Sequence, residues 1–116
     1  MSKGLAVVAG GGGFIGGHLV GDLLTRGYAV RSVDIKPIEE WYQVFPAAEN
    51  VVADLSRIEQ CRRVCEKAER VYQLAADMGG MGFIEHNRAL CMLSVLTNTH
   101  MLIAARDAGV ARFFYS

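Results

Sequence analysis

The 116-residue chain is long enough for one domain with a buried core. Twelve acidic residues balance twelve basic ones, so the chain has no net charge that would attract nucleic acid or an anionic membrane. No apolar run approaches the ~20 residues of a membrane span, and the glycine-broken N-terminus does not resemble a signal peptide. We therefore expect a soluble, cytoplasmic protein.

A strand, a glycine loop and a helix are predicted at the start of the chain. Apolar residues 5–9 predict the strand, and the amphipathic stretch 15–24 predicts the helix. Gly10, Gly13 and Gly16 form a G-x-x-G-x-x-G register, and two further glycines allow other alignments of the motif. In a dinucleotide-binding turn, such glycines permit a tight turn, a close approach to phosphate, and packing of the helix on the strand. A flexible surface turn is the alternative.

The predicted second strand, Tyr28–Asp34, ends on an acidic residue. Asp34 lies 18 residues after Gly16, close to the ~20 residues at which a carboxylate meets an adenosine ribose. A carboxylate there accepts hydrogen bonds from the ribose hydroxyls and repels a 2′-phosphate. Arg31 and Lys36 are nearby and would favour NADP, but the position of Asp34 favours NAD.

The rest of the chain alternates between strands and helices. Residues 35–50 predict an irregular connection near the adenosine end of a bound nucleotide, and residues 50–53 a third strand. Ser56 and Glu59 match a capping box that would open the next helix. The later elements are a fourth strand (Arg70–Ala76), a glycine-rich loop (77–83), a helix (Ile84–Ala108) that ends at Gly109, and a fifth strand (Arg112–Ser116).

This alternation predicts an α/β fold with a doubly wound parallel sheet, Rossmann-like, in the strand order 3-2-1-4-5. A nucleotide would lie across the carboxyl ends of strands one and four, where the order reverses. Residues 1–116 would form one such domain.

The long helix and the cysteines suggest two further features. Residues 89–96 are apolar nearly all round, whereas a helix on a sheet needs one apolar stripe. The second face would meet either the same helix of a partner chain, giving a homodimer through Ile84–Ala108, or a later part of a longer protein. Cys61 and Cys65 resemble core residues, and with Cys91 they make an odd count that predicts no disulfide framework.

Three signals together resemble the extended short-chain dehydrogenase/reductase family, which includes nucleotide-sugar epimerases and dehydratases. They are the glycine register followed by Gly17-His18-Leu19, Asp34 at the end of strand two, and Leu74-Ala75-Ala76 at the end of strand four. A narrower match is Ala76-Asp77-Met78-Gly79-Gly80-Met81-Gly82-Phe83-Ile84, which is similar to the corresponding stretch of GDP-mannose 3,5-epimerases, as are residues 104–115. The resemblance covers essentially the whole chain.

The resemblance implies NAD as the cofactor and GDP-mannose as the expected nucleotide-sugar substrate. The implied pyrophosphate contacts are Gly10, Gly13, Phe14, Ile15 and Gly16, and the implied adenosine contacts are Asp34 (ribose) with Asp54 and Leu55 (adenine). Leu74, Ala75 and Ala76 would lie beneath the nicotinamide-side ribose, and Gly80 and Met81 would face the sugar nucleotide. A simple strand-to-helix turn is the alternative for residues 79–82. The histidines fit no metal-binding motif.

The chain also departs from the family pattern. Ala9 stands where the family usually has threonine, and Ser94 and His100 stand where it has asparagine. The family transfers protons with a Tyr-x-x-x-Lys pair, and no tyrosine of this chain has lysine four positions later. We therefore expect the cofactor-binding part of an NAD-dependent nucleotide-sugar epimerase (an isomerase), truncated after strand five, with no catalytic residue of its own and no activity alone.

Other functions are compatible with the same residues. One is a standalone NAD-binding or sensing module, and another is a dehydratase or reductase of the same family. A methyltransferase-like domain also uses a glycine loop and an acidic residue after strand two. It is disfavoured because Gly16 continues the dinucleotide spacing into the helix.

Overall fold

The computed structural model describes the backbone of residues 3–75 and 84–115, and the side chains of 3–75 and 92–115. Its strands are β1 (Leu5–Ala9), β2 (Ala29–Asp34), β3 (Glu49–Val52), β4 (Ala68–Gln73) and β5 (Arg112–Tyr115). Its helices are α1 (Phe14–Thr25), α2 (Ile58–Val64) and α3 (Ile84–Asp107), and a short 3-10 helix spans Ile38–Glu40. The strands form one parallel sheet in the order β3-β2-β1-β4-β5, which confirms the predicted topology.

The central strand β1 is buried on both faces. Ala6 and Val8 point to one side, where they pack with Val20 and Leu23 of α1. The alternate residues of β1 point to the other side and join a second core cluster with residues of α2 and α3. This period-two alternation places helices on both faces of the sheet, as in other doubly wound folds.

Two helices end at glycines with left-handed backbone. Gly27 follows α1 with φ +94°, and Gly109 follows α3 with φ +77°. A residue in this conformation commonly terminates a helix, and glycine adopts it without steric cost. The predicted stops at both glycines are confirmed.

Two local predictions were wrong. The capping box does not form: the Ser56 hydroxyl donates to the Asp54 carboxylate at 2.7 Å, and Glu59 pairs with Arg57 at 3.0 Å. Arg57 is the N-cap of α2, with no side-chain cap. An acceptor two residues away competes well for a serine hydroxyl. Strand β4 begins two residues earlier than expected, directly after Lys67, whose φ of +63° turns the chain back into the sheet, and it ends at Gln73, before the predicted strand residues Leu74 and Ala75.

Helix α3 is apolar on two faces. Met101, Ala104 and Ala105 are buried in the core, whereas Met92, Val95 and Leu102 expose 73%, 64% and 54% of their surfaces. The predicted second apolar face is therefore open in a single chain. None of the helices within the described residues is long and apolar enough to cross a membrane.

Candidate functional site

The glycine loop leaves β1 through a turn that requires Gly10. This residue has φ +91°, and a Cβ there would lie 2.8 Å from the carbonyl carbon of Leu74. The amides of Gly10 and Gly11 both donate to the carbonyl of Val33, at 2.7 and 3.0 Å. The loop is therefore fixed at the carboxyl edge of the sheet, beside the reversal of strand order between β1 and β4.

Gly16 and Gly13 have different structural roles. A Cβ on Gly16 would lie 2.8 Å from the carbonyl carbon of Gly10 and 2.9 Å from the Cα of Gly11. Helix α1 approaches the loop this closely because Gly16 has no side chain. Gly13 is the N-cap, with φ −85° and ψ 176°. Apart from its two chain neighbours, the described residues place only the Gly10 oxygen, at 3.5 Å, within 4 Å of a Cβ built there. The fold needs Gly16 to be glycine, and it leaves space beside Gly13.

Backbone donors at the start of α1 lie next to this space. The amide of Gly13 donates to the Gly10 carbonyl at 3.1 Å, and that of Gly17 donates to the Gly13 carbonyl at 2.8 Å. Between them, the amides of Phe14, Ile15 and Gly16 are first-turn donors, which have no intrahelical acceptor. With the helix dipole, such amides favour an anion. The side chains of Phe14 and Ile15 are exposed.

Asp34 is held at the same edge by two backbone amides. One carboxylate oxygen, Oδ2, accepts from the amide of Gly12 at 3.0 Å, and Oδ1 accepts from the amide of Lys36 at 3.1 Å. The side chain is largely buried, with 9% of its surface exposed. A carboxylate oxygen has room for a second hydrogen bond, so this geometry orients an acceptor beside the glycine loop.

Asp54 and Leu55 follow β3, next to Asp34. The amide of Ala53 donates to the Asp34 carbonyl at 3.0 Å. Hydrogen bonds from the hydroxyl and amide of Ser56 lower the pKa of Asp54 below its usual 3.8, and the charge of Arg57 adds to this. Leu55 is 5% exposed and belongs to the core, so its backbone is the part that could face a ligand.

Two predicted contacts directly after β4 also lie at this edge. The amide of Leu74 donates to the Ala9 carbonyl at 2.9 Å, and the side chain of Gln73 donates to the carbonyl of Ala75 at 3.0 Å. The structure therefore brings Leu74 and Ala75 to the glycine loop. The other three predicted contacts, Ala76, Gly80 and Met81, lie outside the described residues.

Arg31 faces away from Asp34. Its guanidinium donates to the carbonyls of Val64 and Glu66 at 2.6 and 3.0 Å and pairs with the Glu49 carboxylate at 3.0 Å. These bonds tie β2 to the end of α2. Of the two cations that sequence proximity offered to a 2′-phosphate, Arg31 is thus engaged elsewhere.

A segment whose packing the sequence did not predict lies against α1. Residues 41–45, which we call the strap, follow the 3-10 helix. A Cβ built on Gly12, Gly17 or Gly21 would lie 2.8, 3.3 or 2.9 Å from the strap side chains of Trp41, Gln43 and Phe45 respectively. Glycines inside a helix disfavour it unless something packs closely on them. Gly17 and Gly21 were therefore the sequence feature that could have predicted a segment packed on α1.

Two cysteines and two histidines have structural contacts, and the side chains of Cys91 and His86 lie outside the described residues. Cys61 and Cys65 are fully buried, and burial raises the pKa of their thiols to about 12 and about 11. His18 lies with Phe14 and Tyr42 in a surface cluster of rings. His100 Nδ1 lies 2.8 Å from the Ser56 carbonyl. In the described part of the chain, no three residues of metal-binding type cluster together.

Comparison with known proteins places this geometry in a family. The model of the NAD dependent epimerase/dehydratase family matches residues 6–116. GDP-mannose 3,5-epimerase 1 of Oryza sativa subsp. indica is 38% identical over 110 residues, which cover 94% of this chain and 29% of that protein. A 3 beta-hydroxysteroid dehydrogenase/Delta 5→4-isomerase of Mycobacterium tuberculosis is 32% identical over 117 residues, with 97% and 31% covered.

The fold has matching solved structures as well. A short-chain dehydrogenase/reductase superfamily protein from Agrobacterium tumefaciens, crystallised with bound NAD, has a TM-score of 0.79 and 27% identity. The match covers 96% of this chain and 31% of that one. The chain thus spans under a third of the length of these relatives. Since the family model matches almost every residue, the chain belongs to the NAD dependent epimerase/dehydratase family.

Proposed function

We propose that residues 1–116 are the NAD-binding part of a nucleotide-sugar epimerase that acts on GDP-mannose. The observation that carries the proposal is the carboxyl edge of the sheet. There, open space beside Gly13, the first amides of α1 and the Asp34 carboxylate lie together. These are the groups that a dinucleotide pyrophosphate and its adenosine ribose require. The 38% identity to a rice GDP-mannose 3,5-epimerase supports the choice of substrate.

The residues of this edge divide the binding of NAD among them. The amides of Phe14 and Ile15 donate to the pyrophosphate, and Gly13 allows the phosphates to approach the backbone. Asp34 accepts hydrogen bonds from the ribose hydroxyls. Its negative charge disfavours a 2′-phosphate, and Arg31 is turned away. The site therefore selects NAD over NADP.

The remaining contacts follow the order of the sheet. Asp54 lies at the adenine end, and Leu74 and Ala75 lie under the ribose next to nicotinamide. Gly80 and Met81 would contact the sugar nucleotide. NAD supplies reversible hydride transfer when bound, while a protein of this kind positions the sugar and moves its protons.

Calorimetry with NAD, NADP and S-adenosylmethionine tests the binding part of the proposal. We expect NAD to bind most tightly, and Asp34→Ala to weaken it by about tenfold or more, since hydrogen bonds to a charged group contribute about 1.5–3 kcal/mol each. Asp22→Ala is the matched control, because Asp22 is an exposed carboxylate that pairs with Arg26 on α1. Preferred binding of S-adenosylmethionine would contradict the proposal.

The proposed reaction needs groups that this chain does not contain. No tyrosine in its 116 residues is followed four positions later by lysine. We expect the chain with NAD to leave GDP-mannose unchanged, and the gene to encode a Tyr-x-x-x-Lys pair after codon 116. A full-length product should then epimerise GDP-mannose in preference to UDP-glucose. A stop codon directly after Ser116 would favour the NAD-sensing module instead.

The mycobacterial relative favours a second candidate, a dehydrogenase of the same family. The two reactions differ in net redox change. An epimerase returns its hydride and accumulates no NADH, whereas a dehydrogenase forms one NADH per turnover. Absorbance of NADH during turnover by the full-length protein distinguishes them.

We also propose that the open face of α3 contacts a second copy of the chain. Met92, Val95 and Leu102 expose apolar surface on this face. Exposed apolar patches on a helix are typical of association surfaces. The resulting assembly would be a homodimer through α3.

A further inference from the structure

The strap connects α1 to the segment that carries Asp34. Trp41 is 7% exposed, although the residues on both sides of it, Glu40 and Tyr42, are exposed. Its indole lies against Gly12, where a Cβ would come within 2.8 Å of the ring. A large side chain buried in an otherwise exposed segment fixes that segment in place.

Trp41 makes contact with both donors of the Asp34 carboxylate. Its ring covers Gly12, whose amide donates to Oδ2, and its Nε1 donates at 2.8 Å to the carbonyl of Lys36, whose amide donates to Oδ1. The amide of the next residue, Tyr42, donates to the Gly12 carbonyl at 2.9 Å. One side chain therefore holds the two short backbone segments that enclose the carboxylate.

This arrangement matters because Asp34 has few other restraints. Within the described residues its side chain accepts from those two amides, so its rotamer depends on where the backbone of Gly12 and Lys36 lies. A carboxylate that must meet a ribose gains affinity when its rotamer is fixed before binding. The indole fixes the carboxylate rotamer indirectly, through the backbone, and does not itself donate a hydrogen bond to the carboxylate.

We infer that Trp41 is a positioning residue for Asp34, and that it sets the preference for a ribose 2′-hydroxyl over a 2′-phosphate through that carboxylate. The inference rests on the proposed NAD site. Trp41 does not itself contact the phosphate or the ribose. Its effect passes through Gly12 and Lys36.

The test compares Trp41→Phe with Phe45→Leu. The first keeps an aromatic ring beside Gly12 but removes the Nε1 donor. The second weakens the strap at Gly21, away from the donors of Asp34. Two quantities are measured for the 116-residue chain: the exchange rate of the Gly12 amide by NMR without cofactor, and the ratio of the Kd for NADP to the Kd for NAD.

We expect Trp41→Phe to speed Gly12 exchange and to lower the Kd ratio, each by about threefold to tenfold, the range that corresponds to one neutral hydrogen bond. Phe45→Leu should lower Tm while leaving the Kd ratio unchanged. In an Asp34→Ala background, Trp41→Phe should cause no further loss of NAD affinity, because its effect passes through the carboxylate.

The unsubstituted chain offers an independent measurement, because Trp41 is its single tryptophan. Its emission should change on addition of ADP-ribose and stay constant with nicotinamide mononucleotide. Unchanged Gly12 exchange and an unchanged Kd ratio in Trp41→Phe would overturn the inference while the NAD site stands. A parent chain that binds neither dinucleotide refutes the proposed function instead, and Gly12 exchange still decides whether Trp41 holds the carboxylate.

Discussion

Substitution of two loop glycines by alanine separates folding from binding at the candidate site. Gly16→Ala places a methyl group 2.9 Å from the Cα of Gly11 and 2.8 Å from the carbonyl carbon of Gly10. Both are backbone atoms, so the helix or the loop must move. We expect a loss of about 1–3 kcal/mol in the free energy of unfolding, the usual cost of overpacking.

Gly13→Ala is expected to behave differently. The backbone angles of Gly13 suit any residue, and outside its two chain neighbours the nearest described atom is 3.5 Å from the added carbon. Alanine also restricts the unfolded chain, which stabilises by about 0.4–1 kcal/mol where the native conformation is compatible. The stability of Gly13→Ala should therefore stay within about 1 kcal/mol of the parent.

The same methyl group enters the space in which we place the pyrophosphate. We expect Gly13→Ala to weaken NAD binding by at least about tenfold, equivalent to about 1.4 kcal/mol. Urea unfolding gives the stability of both variants, and calorimetry gives their NAD affinity. A Gly13→Ala chain that folds and binds NAD as tightly as the parent would show that the phosphates do not lie against Gly13.

Three further predictions concern other parts of the chain. Ser56→Ala removes the hydroxyl donor that most lowers the pKa of Asp54. This pKa should rise toward 3.8 in an NMR titration. The lowered pKa contributes stability that is present above that pH and is lost as pH falls, and this contribution should be smaller in the variant. Burial raises the pKa of Cys61 to about 12 and of Cys65 to about 11, against an ordinary value of 9.0. Because the unfolded chain loses these protons first, the free energy of unfolding should fall as pH rises above 9. At pH 8, both thiols of the folded chain should react with iodoacetamide far more slowly than those of the chain unfolded in urea. Val95→Lys should leave Tm nearly unchanged but weaken self-association in sedimentation experiments, since this side chain is exposed on α3; equal sedimentation of parent and variant would refute the proposed homodimer face.

The strand order was predictable because its signals are local. Each strand contains apolar residues next to each other or in alternation, and the segments between strands are long enough for the crossovers that parallel pairing requires. The glycine register also indicates the geometry of the loop, because Gly10 and Gly16 lie where a side chain would clash with backbone atoms. Nothing distant in sequence was needed to place this loop at the edge of the sheet.

The features that sequence reasoning missed depend on competition or on tertiary contact. Ser56 matched a capping pattern, in which its hydroxyl oxygen would accept from an amide of α2, but the hydroxyl instead donates to the nearby carboxylate of Asp54. Trp41 lies in a stretch with prolines and consecutive glutamates, which gave no reason to expect burial. Its packing partner Gly12 lies 29 positions earlier, and only the folded chain brings the two together.

The composition of α1 connects these observations. Three of its twelve residues are glycines, and each disfavours a helix by about 1 kcal/mol relative to alanine. Gly16 packs on the loop after β1, while Gly17 and Gly21 pack on the strap, so contacts on two sides offset that cost. Close backbone packing therefore fixes the position of the helix. Its N-cap, Gly13, has no side chain that could cap the first turn. A serine or aspartate there would bond to the amides of the first turn. With glycine, those amides keep a fixed position and stay available to an anionic ligand.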